Sequence, residues 1–294
     1  MKNNKAKALL ASSFLIWGTV GIFVKFIPLN SGVVAFDRSI VGLIFLLLVK
    51  LFMKSKVDFK AMRGSVLLLC VNGALLGLNW ILLFESYNFT SVATSTICYN
   101  MGPMIVVALS PLVFKEKLTL TKAVCVVTAL FGVMCVSGLF EEKEAGSRGA
   151  VGVVLGLSAA VIYALTVIVN KKLERINPMD KAIVQFMSSS AVMLVYSLVT
   201  TSEGELSFTL DTIILLLIVG VVHTGVAYTV YFKALPNVTS QNVALFAYID
   251  PVVAVVLSGV VLKEKLSFFT VLGAVMVVLS AVFSELYDNK QNKC

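Results

Sequence analysis

Long uninterrupted apolar runs alternate along this chain with short polar connections. The runs lie near residues 8–26, 34–53, 65–85, 92–114, 122–140, 149–169, 182–201, 211–232, 240–262 and 267–286. Each approaches the roughly 20 residues a helix needs to cross the hydrocarbon core of a bilayer. Apolar positions within a run are continuous and do not alternate, so the pattern predicts membrane helices and excludes the strands of a barrel. Ten spans are expected. The second is the least clear, because Asp37 and Arg38 fall near its start. The longest hydrophilic connections, near 54–63, 141–148 and 202–211, leave no room for a soluble domain. Met1–Lys7 and the apolar stretch Ala8–Val24 resemble a signal peptide, but no A-x-A-like site follows, so they read as an uncleaved first span.

Composition agrees with the pattern. Hydrophobic residues make up 59% of the chain and charged residues 14%, with a mean hydropathy of +0.96. A soluble domain carries about 25% charged residues, so the expected solvent is the lipid bilayer, where every backbone polar group must be paired internally. The net charge of +8 forms no patch of the kind that binds nucleic acid; it is spread between the apolar runs and reports topology. With the N-terminus inside, eighteen of the 24 Lys and Arg fall on the inner side, including Lys2, Lys50, Arg63, Lys115, Lys171 and Lys233. Lys25, Arg38, Lys143, Arg148, Lys263 and Lys265 fall outside. That bias predicts a bacterial-type plasma (inner) membrane protein with both termini cytoplasmic. Four of the five cysteines lie inside apolar runs and show no CxxC or Cys/His spacing, so neither disulfides nor a metal site is expected.

The chain repeats itself at an offset of 148 residues. Phe84, Pro103, Val107, Leu109 and Ser110 correspond to Phe232, Pro251, Val255, Leu257 and Ser258, and Lys115-Glu116-Lys117-Leu118 recurs as Lys263-Glu264-Lys265-Leu266. Two units follow, 1–140 and 149–287, of five spans each. Five is odd, so the second unit enters the membrane the other way up. The fold class read from the sequence is therefore all-α integral membrane, with ten transmembrane helices as two inverted five-helix repeats. Inverted repeats are a feature of secondary transporters, whose related halves exchange inward-open and outward-open shapes around one site.

These features together resemble the EamA branch of the drug/metabolite transporter superfamily. The resemblance rests on Trp17-Gly18 followed by Lys25, Phe36-x-Arg38 at the second span, Pro103 and Pro251 within spans, and the two Lys-Glu-Lys-Leu exits. It covers essentially the whole chain as two tandem units. It implies a central cavity lined by spans 1, 3, 4, 6, 8 and 9, and export of amino acids or related metabolites. The second half departs from the first at Arg38, whose counterpart is Phe186.

Ionisable groups inside a span cost roughly 2.5–3.5 kcal/mol for Asp, Lys or Arg, which makes them candidates for function. Asp250 directly precedes Pro251 in span 9, where a missing backbone donor loosens the turn. It suits a proton, a cation or a substrate amine, or it is a buried acid that stabilises the kink. Asn242, Phe246 and Asp250 share one helix face. His223, the one histidine, is a candidate proton relay or a hydrogen bonder between helices. Tyr228 and Tyr231 follow it on span 8. Asn72, Asn79 and Trp80 on span 3, Tyr99 and Asn100 on span 4, Ser13 and Trp17 on span 1, and Tyr163 and Asn170 on span 6 complete the candidate lining. Its aromatic faces attract ammonium groups; each ring taken alone also fits lipid contact. Lys25 and Arg38 are expected near the outer mouth as a gate or ion pair, with Asp37 as partner. Glu116 and Glu264, beside lysines at span ends, are expected to be solvated. Gly73-x3-Gly77 and Gly152-x3-Gly156 permit close helix packing.

The chain has no GxxxxGK[ST] loop and no cofactor motif. One histidine and a few separated acids do not make an intramembrane enzyme. The expected partners are the bilayer, a small-molecule substrate and, if transport is proton-linked rather than facilitative, protons. An amino acid satisfies both Asp250 and the basic pair. Efflux of lipophilic cations is the alternative.

Overall fold

The structure is a computed structural model that describes residues 2–113, 119–136, 147–173, 175–201, 206–238, 243 and 246–291. Among the described residues there is no strand. The helices are α1 (Lys2–Lys25), α2 (Ser31–Phe52), a short α3 (Phe59–Met62), α4 (Val66–Phe89), α5 (Val92–Tyr99), α6 (Gly102–Val113), α7 (Leu120–Val136), α8 (Ser147–Lys172) and α9 (Pro178–Thr200). There follow α10 (Leu210–Leu217), a π-helical stretch at Ile218–Val226, α11 (Ala227–Ala234), α12 (Ile249–Val260) and α13 (Phe268–Gln291). Among the described residues seven helical rods are long and apolar enough to cross a membrane, and Leu120–Val136, Ile249–Val260 and Phe268–Ser284 are shorter apolar helices.

Polar connections start the helices where the first backbone N–H groups need acceptors. Asn30 accepts from Gly32 N at 2.8 Å and starts α2. Ser91 accepts from Thr94 N at 2.9 Å and starts α5. Asn177, followed by Pro178, accepts from Met179 N at 3.0 Å and starts α9. Glu264 is not simply solvated. Both its carboxylate oxygens accept from Val92 N at 3.1 Å, and the hydroxyl of Ser258 donates to it. The free N-terminus of α5 supplies the reason, since an anion is favoured there. The matching Glu116, with the rest of the first Lys-Glu-Lys-Leu, lies outside the described residues.

Two spans read as continuous from hydropathy are interrupted. The fourth breaks at Asn100 and Met101, just before Pro103. The ninth turns at Tyr248, just before Pro251. Both breaks precede the repeated proline, so the sequence repeat is also a repeat of local structure. The eighth rod keeps its length but widens into a π-helix around His223, a form that tends to occur at functional sites.

Helix neighbours map onto one another when the halves are exchanged. α1 packs on α12 as α8 packs on α5 and α6, and α4 packs on α8 as α1 packs on the π stretch and α11. α4 meets α9 as the π stretch meets α2, while α2 pairs with α9 and α7 with α13. Glycines set the closest approaches. A Cβ on Gly73 would lie 2.4 Å from Gln185 O in α9, and one on Gly273 would lie 2.3 Å from Gly132 O. Backbone-to-backbone contact of this kind replaces the hydrophobic drive that helices lack in lipid.

Candidate functional site

Arg38 lies two turns into α2 and is only 5% exposed. Its Nε donates to Thr224 Oγ1 at 3.0 Å. Thr224 in turn donates to Val219 O at 3.2 Å, so the wide π turn aims that hydroxyl. The guanidinium carbon lies 4.1 Å above the ring centre of Trp80 and 5.6 Å from that of Phe84. A desolvated stack of this kind contributes about 2 kcal/mol. Among the described residues no carboxylate is within ion-pair distance of Arg38. Among the described residues one protein hydrogen bond serves this group of five donors.

Trp80 begins a chain of rings. Phe186 is 5.7 Å from it, Tyr228 is 5.2 Å from Phe186, Trp17 is 5.0 Å from Tyr228, and Tyr231 is 5.4 Å from Trp17. Helices α1, α4, α9 and α11 thus share one aromatic wall. Tyr99 and Tyr163 form a second pair at 5.5 Å. Asp250 sits in the first turn of α12 and is partly buried. Its carboxylate has no ion-pair partner among the described residues, and the helix N-terminus beneath it favours the anion. Arg38 lies within electrostatic reach of Asp250, Tyr99 and Tyr228, and Tyr163 within that of Asp250, Tyr99 and Tyr228. Gly18 lets α1 come this close to α12, since a Cβ there would lie 2.8 Å from Asp250 O.

The remaining residues singled out from the sequence have the following surroundings. The amide of Asn79 donates to Ala159 O at 2.6 Å and ties α4 to α8. Asn100 donates to Thr96 O at 2.8 Å and closes the end of α5. Asn170 accepts from Gln185 at 3.0 Å and ties α8 to α9. Phe246 packs against the cluster of Leu10, Phe14 and Ala234, which Trp17 and Tyr231 also join, and Asn242 lies outside the described residues. Lys25 is exposed and donates to Tyr87 O, whereas Arg38 is buried against Trp80. His223 is 1% exposed, with Nε2 2.7 Å from Thr19 Oγ1 and Nδ1 3.3 Å from Ile218 O. Its own carbonyl accepts from Trp17 Nε1 at 2.9 Å.

Thr224 and Thr19 belong to this neighbourhood and were not singled out from the sequence; Phe186 was noted only as the counterpart of Arg38 at the 148-residue offset. Two clefts lie elsewhere. One of about 810 Å³ runs between α7 and α13, and one of about 220 Å³ between α12 and α13. Their apolar walls suit acyl chains better than a polar solute.

A profile of the EamA-like transporter family matches residues 4–138 and again residues 150–286. A Bacillus subtilis (strain 168) protein named "Uncharacterized transporter YxxF" is 25% identical over 269 residues, covering 90% of this chain and 84% of its own length. An "Uncharacterized transporter" of Archaeoglobus fulgidus is 26% identical over 284 residues, covering 94% of this chain and 96% of its own. A solved crystal structure superposes with a TM-score of 0.69 over 96% of this chain and 98% of its own at 14% identity, a likeness of fold alone.

Proposed function

We infer the function from one premise: the chain belongs to the EamA-like transporter family. It is a multi-pass membrane protein of the transporter type. We place ten spans, counting the seven long rods with α7, α12 and α13, and inverted halves with both termini on the cytoplasmic side of a plasma membrane. The exchange of neighbours between halves supports the inversion, and the bias of Lys and Arg supports the orientation.

The protein is a secondary transporter that exports small metabolites by alternating access, and its substrates are amino acids or related amines and carboxylates. The observation that carries this reading is Asp250, a partly buried carboxylate without an ion-pair partner among the described residues, at a helix break beside an aromatic wall. Broken helices at the contact between related halves are where secondary transporters bind solutes. Asp250 holds the substrate amine or the coupling proton. Lipophilic-cation efflux is the second reading, favoured by the ring chain itself, because aromatic faces hold cations without a carboxylate partner. Proteoliposomes loaded with single amino acids or with quaternary amines separate the two. Efflux of an amino acid class, accelerated by an inward proton gradient, is the expected result. Efflux of quaternary amines alone would replace it with the second reading.

A further inference from the structure

The two halves build the same aromatic arrangement twice, once with a cation and once without. In the first half Arg38 lies over Trp80 and Phe84. Counting on 148 residues from each gives Phe186, Tyr228 and Phe232. In the second half Phe186 packs edge-on against Tyr228 at 5.2 Å, and Tyr228 lies 5.7 Å from Phe232. The second half is thus an internal control for the first. It shows that a phenylalanine fills this place in the scaffold, so packing does not require the guanidinium.

Burying a guanidinium without a counter-ion is costly. Arg38 is 95% buried, taking its exposure of 5%, and its Nε is spent on Thr224 while its terminal nitrogens have no hydrogen-bond partner among the described residues. Trp80 holds the plane of the group from one side. A fixed planar fork with free terminal donors is the geometry that receives a carboxylate through two parallel hydrogen bonds. We propose that Arg38, backed by Trp80 and aimed by Thr224, is the substrate's carboxylate-binding residue, and that this transporter selects solutes bearing a carboxylate. Asp250, from the other half, is then left for the amine end or the proton. This rests on the transport reading above and gives Arg38 a place in the site rather than in an outer gate. Arg38 and Lys25 differ in burial as a ligand anchor and a surface group should.

The test uses purified full-length protein in detergent and a panel of matched probes: each amino acid beside its decarboxylated amine and its desamino acid. Ligands that bind the folded state raise its melting temperature, by a stabilisation that grows with the logarithm of one plus concentration over Kd. At least one amino acid should stabilise the protein, its desamino acid should still do so, and its amine should not. Arg38→Gln should weaken binding of the carboxylate probes by about thirty-fold or more. Arg38→Lys, which keeps the charge but loses the fork, should weaken it by about ten-fold. Asp250→Asn should weaken binding of the amino acid more than binding of its desamino acid. If Arg38→Gln does not yield folded protein, Arg38→Lys and the wild-type panel decide. Stabilisation by the amines and not by the acids would overturn the inference and leave a transporter of cations standing. Equal binding of carboxylates by wild type and Arg38→Gln would also overturn it. Binding of none of the probes would remove the inference and the amino-acid reading together.

Discussion

Two pairs of charges inside this protein are treated in opposite ways. Near the end of α2, Lys50 forms an ion pair with Asp180 at the start of α9. Lys50 also donates to Lys56 O at 3.1 Å, and Asp180 accepts from Asp58 N at 3.2 Å. The connection between α2 and α3 is thereby pinned to α9. At the centre, Arg38 and Asp250 come from different halves, and neither has an ion-pair partner among the described residues. Removing one member of a satisfied pair strands the other. Removing an unsatisfied charge relieves a cost that the fold was carrying. The first pair holds structure together; the second, on the reading proposed above, is kept for a ligand.

That contrast can be broken most easily at Lys50. Lys50→Met should cost about 3–5 kcal/mol in unfolding measurements in detergent, because Asp180 stays buried without its partner. The double variant Lys50→Met/Asp180→Leu should recover most of that loss. A single variant as stable as wild type would mean the pair contributes nothing. At the centre the sign reverses. Arg38→Met should match or exceed wild-type stability by about 1 kcal/mol while losing transport, the usual trade at a functional site. If it unfolds as readily as Lys50→Met, Arg38 is structural and the contrast collapses. Asp250→Asn should change stability by less than about 1 kcal/mol. It should still bind the desamino acid, yet transport should no longer respond to pH. A pH response like that of wild type would take proton coupling away from Asp250.

What the sequence made legible follows from which signals are local. Spans are visible because apolar runs must match bilayer thickness, and the repeat is visible because Pro103 and Pro251 break two helices at the same step. Trp17, Trp80, Tyr228 and Asp250 were singled out because rings and acids inside spans are conspicuous. The amides show the limit. Asn79 was read as cavity lining but bonds Ala159 O, a partner 80 positions away with no side-chain signature. The rotation of α4 that aims it is set by the fit of Gly73 against Gln185 O. Lys50 was legible as a topological charge, while its pairing with Asp180 depends on how α2 and α9 lie together. Arg38 was expected near the outer mouth because hydropathy starts the second span at 34. Asn30 starts the helix at Ser31, which carries Arg38 two turns deep.

The smallest expected effect separates His223 from Asp250. The carbonyl of Ile218 can only accept and is satisfied when Nδ1 carries the proton, while Nε2 faces Thr19 Oγ1, whose hydroxyl also reaches Ile16 O at 2.8 Å. With the Trp17 bond to its carbonyl and Phe23 at 4.9 Å, the imidazole is fastened between α1 and the π stretch. A relay needs a nitrogen that can exchange its proton with solvent or substrate, and both nitrogens here already have protein partners. His223→Gln should therefore lower stability by about 1–2 kcal/mol through the lost hydrogen bonds and keep the pH dependence of efflux. Measured beside Asp250→Asn, it should be the variant that melts earlier and still responds to pH. A flat pH profile in His223→Gln at unchanged stability would move proton coupling from α12 to the π turn, and Asp250 would then be left to the substrate amine alone.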